Sequence, residues 1–465
     1  MPVSNLRQLQ FAIVGIVLLT TATRLPALLH PQPIDDEGVY SIVANELVDG
    51  GRLFVDVVER KPPLLFWTYA AVFKAAGKSN WKALHAAALV WTLCTMAGLY
   101  LIGSCLFDRG TGLIAALLYS VFQPWGTFKN LAFNGELLMN LPLVWAWAIA
   151  FRRGSSRWRP ELLAAGALLC AGFLLKQPAA IAAVPIGAYL LLPSYRTSRG
   201  ATRTESLTHA ALLTIGFFAT LGLVVRVLQQ QGILHEAFYW VITNHTDLAV
   251  FWQRGALHTL AFVAACLPLL IGAAMAIRDD RFLWANKSAE RTALLALVGA
   301  SAVGTAAGAR FYPHYYIQLI PPLALLAAPY YARLWSARTS SLHWLRRPWV
   351  ICAWLGLTVV AFSIVHWIEL ASEREGSEAG RYISEHSNPN DRIFVWGHKP
   401  KVYLSSQRRP ASRYIVTFPL TGSLYAGPRK VNTCNLIDAD AWATLEEDFR
   451  RHPPAFIVDL QSNPG

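Results

Sequence analysis

The sequence predicts a polytopic α-helical membrane protein with a small C-terminal α/β domain, and three observations predict it. The chain of 465 residues is 54% hydrophobic and 15% charged, with a mean hydropathy of +0.35, whereas soluble globular proteins carry nearer a quarter charged residues. Apolar runs of bilayer-crossing length recur along most of the chain, separated by short basic loops. Beyond about residue 370 that pattern stops, and polar segments with helix and strand character replace it.

Composition also narrows the function classes. A formal net charge of +13 would suit a polyanionic partner, but the basic residues sit in short clusters between apolar runs. That is the pattern of cytoplasmic loops, so the charge sets orientation and nucleic acid is not an expected partner. Five of the six cysteines (Cys94, Cys105, Cys170, Cys266 and Cys352) fall inside apolar runs, and Cys434 stands alone in the C-terminal region. No spacing among them suggests a disulfide framework or a zinc site.

Arg7 precedes FAIVGIVLLTTA, which resembles a signal sequence without a clean small-residue cleavage pattern and reads as an uncleaved first span. Spans are expected at about 11–29, 84–106, 111–127, 131–151, 161–176, 178–193, 209–228, 256–277, 292–309, 315–333 and 349–368, eleven in all. With Arg7 in the cytoplasm, the loops after the even-numbered spans lie on its side. They hold Arg109, then Arg152, Arg153, Arg157 and Arg159, then Arg196, Arg199 and Arg203, then Arg278, Arg281, Lys287 and Arg291, then Arg338, Arg346 and Arg347. The opposite loops after the first hold few basic residues: Lys129, Lys176, Arg254 and Arg310. This bias places the first loop and the C-terminal region outside.

The segment LLFWTYAAVFKAAG at about 64–77 is too short to cross and reads as an interfacial or re-entrant helix, with Trp67, Tyr69 and Trp81 at headgroup level. Pro62 and Pro63 suit its first turn. The expected division is a membrane domain over 1–369, with an external loop at 30–83 that carries the chemistry, and an external, periplasmic α/β domain over 370–465. That domain reads as a polar helix at about 372–386, a turn from Asn388 to Asp391, a strand from Ile393 to Trp396 and a short helix. The helix ADAWATLEEDFRRHPP and the strand AFIVDL follow.

The first loop concentrates ionisable groups. Asp35, Asp36 and Glu37 are consecutive, and Asp56, Glu59, Arg60 and Lys61 lead into Pro62-Pro63. Read blandly, the three carboxylates are a solvated turn or a helix cap, and the basic pair snorkels to headgroups. Read functionally, Asp36 or Asp35 is a general base whose affinity for protons is raised by its neighbours. Arg60 and Lys61 would then hold a phosphate on a lipid-linked substrate, and Glu59 would orient Lys61. Together with the Asp cluster, Glu59 could also take a divalent cation through oxygen ligands.

A second group, Arg310-Phe311-Tyr312-Pro313-His314-Tyr315-Tyr316, precedes Gln318 and Pro321-Pro322. Its tyrosines fit an interfacial belt and a lone histidine is usually structural, but Arg310 and His314 can donate to phosphate or sugar oxygens. Glu136 with Asn134, and Lys176 with Gln177, are further ionisable candidates close to the membrane, although Lys176 could also snorkel.

These motifs resemble the membrane-embedded glycosyltransferases of family 39, in the GT-C superfamily, which includes protein mannosyltransferases and lipid A aminoarabinose transferases. Four ordered features carry the resemblance, which covers nearly all of the chain. They are Asp36-Glu37 after the first span, the acidic residue and Lys-Pro-Pro from Glu59 to Pro63, Lys176-Gln177 closing a Gly- and Leu-rich span, and the run from Arg310 to Pro322. The resemblance implies a GT-C-like fold and transfer of a sugar from a polyprenyl-phosphate donor, commonly with inversion, at the outer face of a bacterial inner membrane. The acceptor would be a lipid, a glycan or a protein. It further implies Asp36 as the base, Lys61, Arg310 and His314 on the donor phosphate, and Glu37 and Glu59 ordering the site, with Tyr312, Glu136 and Lys176 completing the candidate set. A phosphate leaving group needs charge stabilisation more than a proton, so no second carboxylic acid is required. Two departures stand out: the Asp35-Asp36-Glu37 run leaves the base open, and Arg60 intervenes between Glu59 and Lys61.

Two rival classes share the composition. A transporter or flippase of a lipid-linked glycan places ionisable groups near the midplane and commonly carries internal repeats, neither of which is read here. A non-catalytic envelope assembly protein would differ in tolerating the loss of Asp35 and Asp36.

Overall fold

The computed structural model describes residues 6–152, 158–245, 251–279, 283–336, 348–372, 377–422 and 437–459. Cys434, Arg153, Arg157, Arg281 and the basic cluster from Arg338 to Arg347 lie outside the described residues. Helices stand at the places where spans are expected. Among the described residues, four are long and apolar enough to cross a membrane: Arg7–Leu29, Trp81–Leu106, Arg203–Gln230 and Cys352–Ser372. Two bent pairs bring the count to six, Ala179–Leu191 with Pro193–Arg199 (58°) and Trp252–Ala265 with Leu267–Arg278 (77°). In both pairs a proline, Pro193 or Pro268, occupies the first turn of the second helix, where its missing N–H costs nothing but the preceding helix cannot continue. Arg109–Phe122, Gly135–Phe151 and Glu161–Leu175 are apolar and shorter, and Ser288–Ala306 and Ile320–Ser336 complete the series.

The chain divides into two compact units, each drawn from separated stretches. The first comprises residues 1–30, 85–224 and 250–371. Large apolar side chains such as Phe11, Leu18, Phe218, Leu257 and Leu357 are exposed on its helices, as expected for helices solvated by lipid, whose backbone polar groups are satisfied internally. Its helices Glu161–Leu175 and Arg203–Gln230 meet backbone to backbone at two glycines. A Cβ at Gly166 would lie 2.0 Å from the Leu213 carbonyl oxygen, and one at Gly216 would lie 2.0 Å from that of Leu163. Arg24, within the first span, is buried at 2% exposure and donates to Gln123 Oε1 and the Leu131 carbonyl, both at 3.0 Å, so it fixes the turn between Arg109–Phe122 and Gly135–Phe151.

The second unit comprises residues 31–84, 225–249 and 372–465. Its sheet has three parallel strands, β1 (Arg392–Trp396), β2 (Arg409–Pro410) and β3 (Pro454–Asp459), in the order β2-β1-β3. The longer two are the expected strands, whereas two-residue β2 is too short to leave a pattern. The helix expected at about 372–386 is described over Glu378–Glu385, where the Ser377 side chain accepts from the Gly380 amide. Asp391 Oδ2 accepts from the Asn388 amide at 2.7 Å and closes the expected turn. Helix Ala441–Arg451 stops short of Pro453-Pro454.

Within the same unit, the first loop is largely structured. Helix Glu37–Val48 packs on helix Pro63–Ala76, which forms where the short apolar segment is expected, through Tyr40 edge-on to Phe66 and Tyr69 at centroid distances of 5.9 and 5.7 Å. Extended Pro62 and Pro63 start the second helix as expected, and Gly77 at φ +99° ends it. Gly38 lets helix Pro400–Ser406 approach, since a Cβ there would meet Pro400 Cγ at 3.0 Å. Arg409 donates to both oxygens of buried Glu46, at 2.9 and 2.5 Å, and this fork-to-fork pair ties the sheet to the loop helix.

Candidate functional site

The candidate residues fall into two groups, one in each unit. The first is the acidic turn ahead of helix Glu37–Val48. Asp35 adopts a left-handed conformation at φ 52°, which an aspartate tolerates better than most residues. The turn it makes lets the Glu37 amide donate to the Ile34 carbonyl at 3.1 Å, while Glu37 Oε2 accepts from the Ile34 amide at 2.8 Å. The two bonds close the turn at residues 34–37 just ahead of the helix, whose N-cap residue Asp36 makes no side-chain capping bond. Glu37 is wholly buried, and Asp35 and Asp36 are half-buried. The three consecutive carboxylates therefore divide by role: Glu37 shapes the turn, and Asp35 and Asp36 remain partly accessible.

Asp36 Oδ2 accepts from the Tyr40 hydroxyl at 3.2 Å, one helical turn on. Behind Tyr40, burial together with the charges of Glu37 and Asp36 holds the Tyr69 phenol well above its ordinary range, so it stays protonated. Sequence reading missed both tyrosines as partners of the turn, although the spacing of Asp36 and Tyr40 at i and i+4 is a helix-neighbour signal once a helix is recognised there.

After that helix, Arg52 clamps Asp56 with its backbone amide at 2.8 Å and its guanidinium at 3.3 Å. Glu59 Oε2 accepts from the Lys61 amide at 2.8 Å, so Glu59 orders the backbone of the basic residue. Arg60 and Lys61, adjacent in sequence, have different surroundings. Arg60 donates to the Asn244 carbonyl at 3.5 Å and lies over the Phe418 ring at 4.3 Å, whereas Lys61 is half-buried and makes no ion pair among the described residues. The geometry thus favours Lys61 over Arg60 as a cation available to a ligand.

The second group is built in the other unit, from three separated stretches. Asn134 Oδ1 accepts from the Leu137 amide at 3.1 Å and caps helix Gly135–Phe151, which sets Glu136 in its first turn, fully buried. Lys176 follows the last residue of helix Glu161–Leu175 and places its ammonium on Glu136 Oε1. It also lies over the Tyr315 ring at 4.5 Å. His314, on the short 3₁₀ segment Pro313–Leu319, brings Nε2 to 3.9 Å from the same carboxylate oxygen. Tyr312 stacks on the His314 ring at 5.7 Å, and the Arg254 guanidinium lies 5.2 Å from the Tyr312 centroid. Gln318 donates to the Tyr315 carbonyl at 2.9 Å and holds the segment's turn. Glu136, Lys176, His314 and Tyr312, each singled out separately in the sequence, are brought together here, and Arg310 is half-buried just ahead of the segment. This group can present cations and a ring N–H to an oxyanion, with Glu136 orienting Lys176.

Comparison with known proteins follows the same lines. Residues 60–222 match the dolichyl-phosphate-mannose-protein mannosyltransferase family, a stretch that takes in Lys61, Glu136 and Lys176. No curated protein is significantly similar in sequence. Among solved structures, ArnT from Cupriavidus metallidurans bound to undecaprenyl phosphate aligns with a TM-score of 0.61 at 13% identity, over 97% of this chain and 90% of that one. The oligosaccharyltransferase AglB from Archaeoglobus fulgidus, in complex with an inhibitory peptide and a dolichol-phosphate, aligns with a TM-score of 0.58 at 11% identity, over 97% and 69%. An Archaeoglobus fulgidus oligosaccharyltransferase tethered to an acceptor peptide aligns at 0.57 and 12% identity over 87% of this chain, which spans 64% of that protein's length. Likeness of fold over nearly the whole chain thus shows that it shares the fold of these membrane proteins, and the match in sequence to the mannosyltransferase family extends over residues 60–222.

Proposed function

We propose that the chain transfers a sugar from a polyprenyl-phosphate-linked donor to an acceptor hydroxyl, with inversion at the sugar carbon, at the outer face of a bacterial cytoplasmic membrane. The observation that carries this reading is the division of labour in the acidic turn. Glu37 is spent on the Ile34 amide, and Asp36 stands half-buried with a phenol donating to it.

In this reading Asp36 takes the proton of the acceptor hydroxyl as its oxygen attacks the anomeric carbon, and the bond to the phosphate breaks on the opposite side. Asp35 is the alternative base. The Tyr40 hydroxyl fixes the Asp36 carboxylate in one orientation, and Glu59 orders the backbone of Lys61. Lys61 neutralises the charge that accumulates on the departing phosphate, where preorganised cations lower the barrier most; in the other unit, Arg310 and His314 are donors suited to an oxyanion. Lys176, Glu136 and Tyr312 position His314, and Arg60 braces the loop.

A polyprenyl-phosphate donor is supported by the relatives: ArnT was solved with undecaprenyl phosphate and AglB with a dolichol-phosphate. The acceptor class, whether lipid, glycan or protein, is left to the assay. Asp35 and Asp36 offer the hard oxygen atoms that a divalent cation takes, and an archaeal oligosaccharyltransferase of this fold was solved with zinc and sulfate. A chelator arm therefore belongs in the test. The N-terminus inside and the C-terminal domain outside follow from the basic loops.

The test is a transfer assay with purified protein, a polyprenyl-phosphate sugar mixture and membrane extract as acceptor. Asp36→Asn is expected to lower the rate at least ~100-fold, in the range of lost general-base catalysis, with donor binding retained. An unchanged rate in Asp36→Asn together with loss in Asp35→Asn would transfer the role to Asp35. Full transfer by the double variant would refute the mechanism.

A further inference from the structure

At the amino ends of the three strands, the second unit forms an open polar cavity of about 270 Å³. Arg392 opens β1, Arg409 opens β2 and His452 stands just ahead of β3, and the far end of helix Glu37–Val48 supplies the facing wall. No role described above uses this space.

The charges on its walls cancel in pairs, with one exception. Glu46 is held by Arg409, Asp49 by Lys78 at 2.7 Å, Asp56 by Arg52, and Asp448 by Arg413 at 2.8 Å. Arg451 on the rim is paired with Glu447. Arg392 alone among the described cationic arginines of the cavity has no ion pair: its Nη1 donates to the Pro410 carbonyl at 2.7 Å, which leaves Nε and Nη2 as a fork for one oxyanion. Burial and the neighbouring Arg409 push the Arg392 guanidinium down, and burial together with Arg392 does the same to the His452 ring. Glu46, Asp49 and Asp56 act on Arg392 in the opposite direction, as Asp448 does on His452, without reversing either shift.

The wall chemistry and size define what would fit. The lining is polar and holds no Phe, Tyr or Trp, and paired carboxylates keep lone pairs that accept from hydroxyl groups. The volume lies just under the ~300–1,000 Å³ of drug-sized pockets, which suits a single ring rather than a chain. We propose that this cavity is a binding site for a small anionic sugar, bearing a carboxylate or a phosphate, with Arg392 as its counter-ion. The site is separate from the acidic turn and requires no transfer chemistry, so it stands or falls independently of the proposed reaction.

Isothermal titration of the purified full chain in detergent tests it, with glucuronate, glucose 6-phosphate, glucose and inorganic phosphate as probes. One of the two anionic sugars is expected to bind at least tenfold tighter than glucose, and which one does so tells carboxylate from phosphate. Arg392→Gln is expected to lose that binding by at least tenfold with an unchanged melting temperature, and Arg392→Lys to recover part of it. Equal binding of glucose and both anions, or undiminished binding by a folded Arg392→Gln, would overturn the proposal. So would inorganic phosphate binding as tightly as either sugar, because the site would then read a bare anion. If Arg392→Gln does not fold, the preference of the wild-type chain for anionic over neutral sugar decides alone.

Discussion

Replacing Lys176 with methionine keeps most of the side chain's length and removes its charge. Glu136 is then left at 0% exposure with no ammonium on Oε1, and its Oε2 accepts no hydrogen bond among the described residues. The His314 ring is the remaining neighbour, its Nε2 at 3.9 Å. Breaking a buried pair from one side costs about 3–5 kcal/mol, because the surviving charge is stranded away from water. Removing both charges together strands nothing, so Glu136→Leu with Lys176→Met should be less damaging than Lys176→Met alone. A double-mutant cycle read by thermal unfolding in detergent, with tryptophan fluorescence as the signal, should give a coupling of about 2 kcal/mol or more. The reasoning is refuted if the single substitution costs less than ~1 kcal/mol, or if the two add to within ~0.5 kcal/mol, as independent sites do.

Three further outcomes follow from the geometry. Arg409→Ala removes the fork on Glu46, whose side chain is 5% exposed, and should lower the stability of the second unit by about 2–4 kcal/mol, seen as earlier proteolysis at the 31–84 loop; Glu46→Gln should recover part of the loss. Gly166→Leu places atoms where the Leu213 carbonyl lies, so it should separate the helices Glu161–Leu175 and Arg203–Gln230 and abolish the folded, monodisperse peak in size-exclusion chromatography, whereas Gly187→Leu, with open space around it, should leave that peak unchanged. Burial raises the Asp56 carboxyl, but hydrogen bonds and charge from Arg52 prevail and hold it below its ordinary value. The sign follows: the contribution to stability is complete above the unfolded value of about 3.9 and disappears as pH falls through the folded value. Because Asp56 is exposed, that contribution is below ~1 kcal/mol, and Asp56→Asn should flatten the acid limb of a stability profile slightly while leaving the neutral region within ~1 kcal/mol.

Much of this architecture was legible in the sequence because bilayer crossing imposes a long apolar run that few other structures need. Helices stand at the expected spans, and a short helix after Pro62-Pro63 was readable from its shortness and its prolines. What the pattern hid were breaks inside spans. Pro193 and Pro268 lie within or beside apolar runs, and hydropathy averages across them. The helix Glu37–Val48 was hidden for another reason: nine of its twelve residues are buried, including Glu37 and Glu46, so it carries no polar face to generate a helical period. In the candidate site, residue types pointed to Asp36, Lys61, Glu136, Lys176 and His314, but sequence gives no distances. It could not show that Glu37 serves the Ile34 amide, that Arg60 lies over Phe418, or that Lys176 and His314 share one carboxylate oxygen. Arg24 was passed over because one charge in an apolar run leaves the average almost unchanged.

The bond between Glu46 and Arg409 joins residues 363 positions apart. At a synthesis rate of ~5–20 residues per second, roughly 20–70 s separate the emergence of the acid from that of its base. During that interval the loop carrying the acidic turn exists without the strand that neutralises Glu46, and the intervening membrane helices are being inserted. The first loop therefore cannot reach its final form as it is made; it must wait, partly folded and open to proteases or chaperones. A chain terminated before residue 409 would keep every membrane helix and the whole acidic turn, yet it would leave Glu46 without its arginine.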